Sequence, residues 1–592
     1  MKQENELFTI RHSCEHVLMQ AMENLGYKIL KAMGPATDDG FYFDFDLLDG
    51  RITEEDFPKI EAEMLRIKSQ NLPISRISLT PPISLQLFKD NPYKLEWVAE
   101  AIKRNDPITA YWTGEPNKKG SFVDLCAGPH VTNTSEIGFF KLLSVAGAYW
   151  RGSEKNKMLT RVYGTAFPTQ KELDDYLALQ EEIKKRDHRK LGRDLELFTF
   201  SEEIGPGLPL WLPAGTTIKD ELEKWGKETE EKWGYQRVST PFLTKRKLFE
   251  ISGHVPYFEE EMYKVHVPRD EKDEYFIRPM NCPFHHMIFK SQLRSYKELP
   301  LRLAEYGHVA RYEDAGSLNG ILRPRFFCQN DAHIYSTEDQ AVDEFVSVVN
   351  LHRYYYDTLG LKNYHIVLCL RDPKKKGKYH GNETMWQKAE KLSREALEKS
   401  KIEYAVENEG AAHYGPKMDF KIKSAIGAEY GISTNQIDLF MPKRFNLTYI
   451  DKDGKEKLVV VQHRAPLGSS ERFVGFLIEH FSGNFPLWLS PTQVQIIPIS
   501  NQLDKYVQKI LNYLIDQNIR TRANLESDTM QNKIRKAQEL KIPVMVIIGN
   551  KEKDQEKISV RYRDGKQENL IELEAFTKTL KDRIIAKSLD IY

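Results

Sequence analysis

Two histidines set one helical turn apart, His12 and His16 in "RHSCEH", are the first residues in the chain whose types and spacing suggest chemistry. On a helix they share a face, which suits half of a metal site, a hydrolytic pocket or an ordinary packed helix. A second group lies in "RLAEYGHVARYEDAGSLNGILRPRFFCQNDAHIY". There Arg311 and Glu313 end one strand and Arg323, Phe327 and Gln329 sit on the next, joined by a glycine-containing loop. Planar guanidinium groups grip phosphate oxygens in pairs and a nearby Phe can stack on a base, so the pattern suits a nucleoside triphosphate. The bland alternative is a solvated basic hairpin. Downstream, "HRAPLGSSERFVGFLIEH" puts Arg472 at the start of an amphipathic helix, and upstream "WGYQRVSTPFL" ends a helix and a strand at Pro241. No G-x-x-x-x-G-K-[ST] and no G-x-G-x-x-G occurs, so a phosphate site here must be built from side chains.

The elements that would position these residues fall into several domains. At 592 residues the chain is too long for one core, and three or four are expected. Residues 1–168 mix short strands ("FYFDFD", "RVYGTAF") with helix ("EEDFPKIEAEMLRIK"), an α+β pattern. Residues 169–197, "KELDDYLALQEEIKKRDHRKLGR" among them, read as one connecting helix with a basic end. Residues 198–489 hold most of the aromatics and the glycine-punctuated strands, and Ser490-Pro491 marks a boundary. Residues 490–592 alternate strand and helix, which predicts an α/β domain with a mainly parallel sheet.

Composition narrows the class. Hydrophobic residues make up 40% and charged residues 29%, the balance of an ordinary soluble protein. The 86 basic and 86 acidic residues cancel, so any nucleic-acid binding must use local patches such as "KKRDHRKLGR", "RTRANL" and "KIRK". Five cysteines, sparse and odd in number, argue for a reducing compartment and against a disulfide framework. "MKQENELF" has no apolar signal region, and no run is long enough to cross a bilayer. A cytoplasmic protein with no membrane partner is expected.

The three arginine-bearing segments resemble motifs 1, 2 and 3 of class II aminoacyl-tRNA synthetases. "RPMNCPFHH", "QNDAHIY", "YGPKMDF", "NQIDLF" and "HRAPLGSSERF" narrow this to the threonyl-tRNA synthetase family, in that family's order. "RHSCEH", "GPATDDGFYFDFD", "FVDLCAGPHV" and "KLLSVAGAYWRG" resemble its editing domain. The resemblance implies an antiparallel-sheet class II core, an α+β editing domain, an α/β anticodon-binding domain, and a chain that starts without the family's small ubiquitin-like domain. It also implies a homodimer whose motif 1 region supplies much of the interface.

The site residues follow from the same resemblance. It assigns one zinc ion per chain to Cys282, His333 and His463, one thiolate and two imidazoles that leave a position open for substrate; sequence spacing alone does not connect them, and His285 and His286 compete for the third place. Zinc would bind the amino group and hydroxyl of threonine, refusing isosteric valine. Asp331 would hold that hydroxyl, and Arg311 the carboxylate or α-phosphate. Glu313 would read the adenine amino group, Phe327 would stack on the ring, and Arg323 with Arg472 would clamp the outer phosphates of ATP, which carries Mg2+. Gln329 belongs to the catalytic set and Gln436 to the cofactor-binding set. His254 would assist transfer to the tRNA(Thr) ribose, or else be a surface loop histidine.

Serine lacks only a methyl group, a difference worth roughly 1–3 kcal/mol, so the synthetic site must leak it. His12, His16, Cys126, His130 and Asp124 would form the pocket that hydrolyses Ser-tRNA(Thr). On ligand type alone, H-x-x-x-H with C-x-x-x-H reads as a zinc site, and the related alanyl editing domain uses metal; the threonyl family implies hydrolysis without it. In the last domain Glu552 and Arg561 would meet anticodon bases. Gly431, Phe284, Asn330, Ala127 and Ser527 depart from the family pattern. The rival reading is a catalytically silent paralogue acting as an RNA-binding scaffold or regulator.

Overall fold

A computed structural model describes residues 2–116, 118, 120–268, 273–375, 377–423 and 429–592. They form two units, residues 1–181 and 182–592.

The first unit is built around the helix Lys2–Asn24. From Ile10 to Met22 this helix is buried on every side, and Arg11, His12, Ser13, Glu15, His16 and Gln20 are buried with the apolar residues. So many polar side chains inside a core require a reason, because each must find a partner or serve a site. A four-stranded antiparallel sheet, in the order Ile29–Met33, Phe41–Leu47, Met158–Phe167 and Phe139–Tyr149, packs Phe41, Phe43, Phe45 and Val162 against the helix. A three-stranded sheet of Ile74–Leu79, Ile108–Thr113 and Phe122–Leu125 ends at Leu125, just before Cys126.

The second unit contains an eight-stranded sheet in the order Gln236–Arg237, Leu301–Ala310, Phe326–Ser336, Val460–Ala465, Glu429–Asp438, Lys417–Lys423, Tyr364–Leu370 and Tyr404–Asn408. All its pairings are antiparallel except the two at its edges. The helices Pro213–Lys232, Glu338–Thr358 and Ser470–Phe481 supply the apolar side chains that cover it, among them Trp225, Phe345, Tyr355, Phe473 and Leu477. A buried ion pair, Arg464 to Glu230 at 2.8 Å, ties the first of these helices to the sheet.

The last hundred residues have their own core, with Val494, Ile496, Val544, Val546 and Val560 from a five-stranded sheet packed on Val507, Ile510, Leu514 and Phe576 from helices. The sheet is less parallel than the sequence suggests. The strands Thr521–Ala523, Val494–Pro498 and Val544–Ile548 run parallel, while Ile558–Tyr562 and Gln567–Ile571 pair antiparallel. A tight turn at Gly565, with φ of 96°, reverses the chain there. The connector also differs from a single helix. It is two, Gln170–Arg186 and His188–Asp194, because the Asp187 carboxylate accepts the Arg189 N–H at 2.7 Å and starts a new helix. Among the described residues no helix is long and apolar enough to cross a membrane.

Candidate functional site

Strand register brings the central residues together. In the antiparallel pair Leu301–Ala310 and Phe326–Ser336, residues 327, 329, 331 and 333 alternate onto one face, so Phe327, Gln329, Asp331 and His333 line up in a row. The next strand places His463 opposite His333, and the strand beyond it places Gln436 opposite His463. Cys282 enters from the first turn of the helix Cys282–Lys290. A cavity of about 620 Å³ is lined by Cys282, Arg311, Glu313, Arg323, Phe327, Gln329, Asp331, His333, Gln436, His463 and Arg472. Four segments far apart in sequence thus face one space.

The ligand atoms of Cys282, His333 and His463 lie within 4.8 Å of one another. Their outer partners leave lone pairs for a cation. Asp438 Oδ2 lies 2.8 Å from His463 Nε2, while His463 Nδ1 is buried without a partner. His333 Nδ1 lies 2.9 Å from His285 Nδ1, and His285 Nε2 lies 3.1 Å from Glu305 Oε2. A carboxylate thus stands directly behind His463 and, relayed through His285, behind His333; such outer partners are the usual means of fixing a ligand's tautomer and raising its basicity toward a metal. Burial pushes the His333 imidazole well below its ordinary value, keeping it neutral. Burial also acts against a proton on His463, but Cys282 and Asp438 carry its pKa up to about 10, and a metal ion held here would take that proton's place. The donor set and its orphaned nitrogen therefore fit zinc. His285 stands behind His333 rather than among the inner donors, and His286 forms a separate group with Asp438 and His463 while its Nδ1 meets Tyr335 Oη at 3.0 Å.

The remaining residues ring this centre. Asp331 accepts the Asn281 Nδ2 hydrogen bond at 2.7 Å, and burial raises its carboxyl pKa. Arg311 donates from Nε to Pro279 O at 3.0 Å and lies 5.3 Å from the Phe327 ring. Arg472 donates to Leu322 O at 3.0 Å, with its helix started by Ser469. Among the described residues neither guanidinium makes an ion pair; Arg311 is half-buried and Arg472 exposed at the cavity, so both are open to an anion. Arg323 instead pairs with Glu313 at 2.8 Å. A side chain at Gly431 would meet open space. His254 is 1% exposed, not a surface residue; its Nε2 is 2.9 Å from Met280 Sδ on the cavity wall, and burial holds its pKa down to about 3.

In the first unit, His12, His16, Cys126 and His130 bring their ligand atoms within 4.8 Å of one another. Cys126 Sγ is 3.3 Å from His12 Nε2 and 3.2 Å from His130 Nε2. Burial lowers the pKa of His12 and raises that of Cys126 to about 12. Asp124 is buried in an ion pair with Lys94 at 2.8 Å. Lys94 and Glu15 escaped the sequence reading, since an acidic or basic residue on a helix is ordinarily solvated; Asp438 lay inside a quoted motif without a role.

Glu552 spends both carboxylate oxygens internally, accepting from Gly549 N–H at 2.8 Å and Ser559 Oγ at 2.7 Å. Arg561 is half-buried on the strand Ile558–Tyr562, with its Nε buried and unpartnered.

The family "tRNA synthetase class II core domain (G, H, P, S and T)" matches residues 263–481, "Anticodon binding domain" matches 493–583, and "Threonyl and Alanyl tRNA synthetase second additional domain" matches 114–163. A threonine–tRNA ligase of Thermotoga maritima is 44% identical over 585 residues, 98% of this chain and 89% of the relative. That of Chlorobium phaeobacteroides is 43% identical over 97% of this chain and 86% of its own length. The solved RNA binding domain of threonyl-tRNA synthetase from Cryptosporidium parvum Iowa II is similar at a TM-score of 0.64 and 33% identity, covering 68% of this chain and 99% of that one. With its class II core, anticodon-binding domain and editing domain, the chain belongs to the threonyl-tRNA synthetase family of class II aminoacyl-tRNA synthetases.

Proposed function

We propose that the chain joins L-threonine to ATP as threonyl-adenylate, transfers it to tRNA(Thr), and hydrolyses Ser-tRNA(Thr) in its first unit. The observation that carries the reading is the convergence of Cys282, His333 and His463 in the cavity that also holds Arg311, Phe327, Asp331 and Arg472. Cys282, His333 and His463 would hold a zinc ion, which would supply a Lewis-acidic position for an amino group and a β-hydroxyl that valine cannot complete.

The chain's own residues do the rest. Asp331 accepts the hydroxyl hydrogen. Arg311 holds the carboxylate against the α-phosphate, so that a carboxylate oxygen attacks phosphorus as the bond to pyrophosphate breaks. Such a step needs charge neutralisation and in-line placement more than acid–base help. Glu313 reads the adenine amino group and Phe327 stacks on the ring. Arg323 and Arg472, with Mg2+ on the triphosphate, neutralise the leaving pyrophosphate. Gln329 and Gln436 line the amino-acid end. His254, buried behind Met280 on the cavity wall, is the residue assigned to assist transfer to the ribose, acting through its contact with Met280.

His12, His16, Cys126, His130 and Asp124 form the hydrolytic pocket for the serine that the synthetic site admits. Glu552 and Arg561 would meet anticodon bases, Glu552 by releasing its contacts with Gly549 and Ser559. Residues 1–168, 169–197, 198–489 and 490–592 serve as editing domain, connector, catalytic domain and anticodon-binding domain of a cytoplasmic homodimer.

Threonine-dependent ATP–pyrophosphate exchange followed by charging of tRNA(Thr) tests the reading. Exchange and charging are expected with threonine and not with valine. A chain that binds tRNA but shows no exchange at saturating threonine and zinc is a scaffold. Serine charged to tRNA should be released again, and His16→Ala should leave it attached.

A further inference from the structure

The helix Ser470–Phe481 turns one face to the loop that joins the two arginine-bearing strands. Arg472, Gly475 and Glu479 are spaced three and four residues apart and share that face. Arg472 Nε donates to Leu322 O at 3.0 Å, so the guanidinium that lines the cavity also holds the loop. A Cβ at position 475 would come within 2.9 Å of Leu322 Cδ2 and 3.1 Å of Ile321 Cγ1, and glycine there lets the loop pack directly on the helix. Ile321 and Leu322 are both buried.

The far end of the same face is met from the connector. His188 is the first residue of the helix His188–Asp194 and is buried. Its Nδ1 donates to Glu479 Oε1 at 2.9 Å, and its backbone N–H reaches the same oxygen at 3.4 Å. Tyr430 Oη donates to Glu479 Oε2 at 2.9 Å, so both oxygens of this buried side chain are bonded. The opposite edge of the ring, Nε2, is buried and has no hydrogen-bond partner among the described residues. It faces Gly320, where a Cβ would lie 2.3 Å from it and where the backbone holds a left-handed φ of 51°.

We propose that His188 is a positioning residue for ATP: from the connector it seats the loop 319–323 against the helix Ser470–Phe481 and so sets the spacing of Arg323 and Arg472. The loop is held at one end by Arg472 and at the other by the imidazole. Its turn is tight, with the N–H groups of Leu322 and Arg323 donating to Asn319 O at 3.0 and 3.2 Å, so a shift of Gly320 carries Arg323 with it. A ring bonded on one side to a buried and fully bonded carboxylate has one place to stand, which leaves Gly320 one place too. Two guanidinium groups grip a triphosphate together only when their separation matches it.

The inference rests on the reading of Arg323 and Arg472 as the clamp on the outer phosphates, and it puts one determinant of the ATP site in the connector, outside residues 198–489. Threonine is held at the other end of the cavity, by the row that contains Asp331, His333 and His463. A change at His188 is therefore felt by ATP and not by threonine. A histidine that only stabilised the fold would lower the amount of active protein and leave both affinities alone.

Threonine-dependent ATP–pyrophosphate exchange on the full-length chain tests this, with KM for ATP and KM for threonine measured separately in His188→Ala and His188→Asn. In His188→Ala the KM for ATP should rise about tenfold, the size of one charge-assisted hydrogen bond, while the KM for threonine stays within about twofold. His188→Asn returns a donor to the place of Nδ1, and its KM for ATP should fall between those of His188→Ala and the unaltered chain. A lower kcat with both KM values unchanged, or an equal rise in the two, overturns the assignment. Should neither variant fold, Tyr430→Phe, which removes the other hydrogen bond to Glu479, carries the test: a raised KM for ATP is expected, and an unchanged one overturns the assignment. No exchange by the unaltered chain would sink the synthetase reading instead. ATP binding followed by calorimetry then decides the role of His188, with a Kd about tenfold weaker in His188→Ala expected and an equal Kd, or no binding by either chain, overturning it.

Discussion

His333 and His463 stand directly opposite each other across an antiparallel strand pair, with ring centroids 4.7 Å apart. Register alone fixes this meeting, because a slip of one residue would turn either imidazole to the other face of the sheet. Asp438 then orients His463 from the neighbouring strand, its Oδ2 at 2.8 Å from Nε2. Asp438→Asn is expected to weaken zinc binding by roughly 10–100-fold while leaving the three inner donors in place. Competition with a chelator of known affinity measures this, and an unchanged affinity would mean that Asp438 does not orient the ligand.

Arg311 lines the cavity, half-buried, without an ion-pair partner among the described residues. Its fork geometry cannot be reproduced by an ammonium group. Arg311→Lys should cut threonine-dependent exchange by roughly 10²–10³-fold, the usual cost of removing one aimed donor from a developing charge. The thermal midpoint should move little. A fall in stability large enough to explain the lost rate would assign Arg311 a structural part instead.

Arg464 and Glu230 are both wholly buried, 2.8 Å apart, with Asn330 Nδ2 donating to the same Glu230 oxygen at 2.7 Å. Removing one partner leaves an uncompensated charge in the core, so Glu230→Ala should destabilise the second unit by about 3–5 kcal/mol. Denaturant unfolding followed through the fluorescence of Trp225, in the same helix and core, reads this directly. A loss below about 1 kcal/mol would show that the pair is relaxed by solvent.

His352 is fully buried, stacked on Phe420 at 4.7 Å, and donates from Nδ1 to Val348 O at 2.7 Å. Burial holds its pKa down to about 3. The unfolded chain would take up a proton near pH 6.5 where the folded chain does not, so stability falls as the pH drops between about 6.5 and 3. The slope from this residue approaches about 1.4 kcal/mol per pH unit. His352→Phe should flatten the acid limb by about one proton, as measured by unfolding at pH 4, 5 and 6. An unaltered slope would mean that His352 is protonated in the fold.

Much of the site was legible because motif segments carry their residues in strand register. Arg311, Phe327, Gln329, Asp331 and His333 come from two adjoining strands, and their alternation survives folding unchanged. What the sequence hides is depth and partnership. Glu15 is an ordinary helix residue until burial is known, and the outer place of His285 depends on how the helix Cys282–Lys290 lies against Phe326–Ser336. The connector's break is a capping event at Asp187, invisible in a continuous run of helix formers. The last sheet misled for a similar reason. Its strand Gln567–Ile571 is mostly polar and half-exposed, so no apolar run announces the second antiparallel pairing.

Zinc content of the Cys126→Ser chain, with and without a further Cys282→Ala substitution, addresses the synthetic centre most directly, since the first change removes any contribution from the other cluster. One equivalent per chain is predicted, falling to near zero with the second substitution as threonine-dependent exchange is lost. Zinc retained in full without Cys282, or exchange that persists in a metal-free chain, would contradict the assignment of Cys282, His333 and His463.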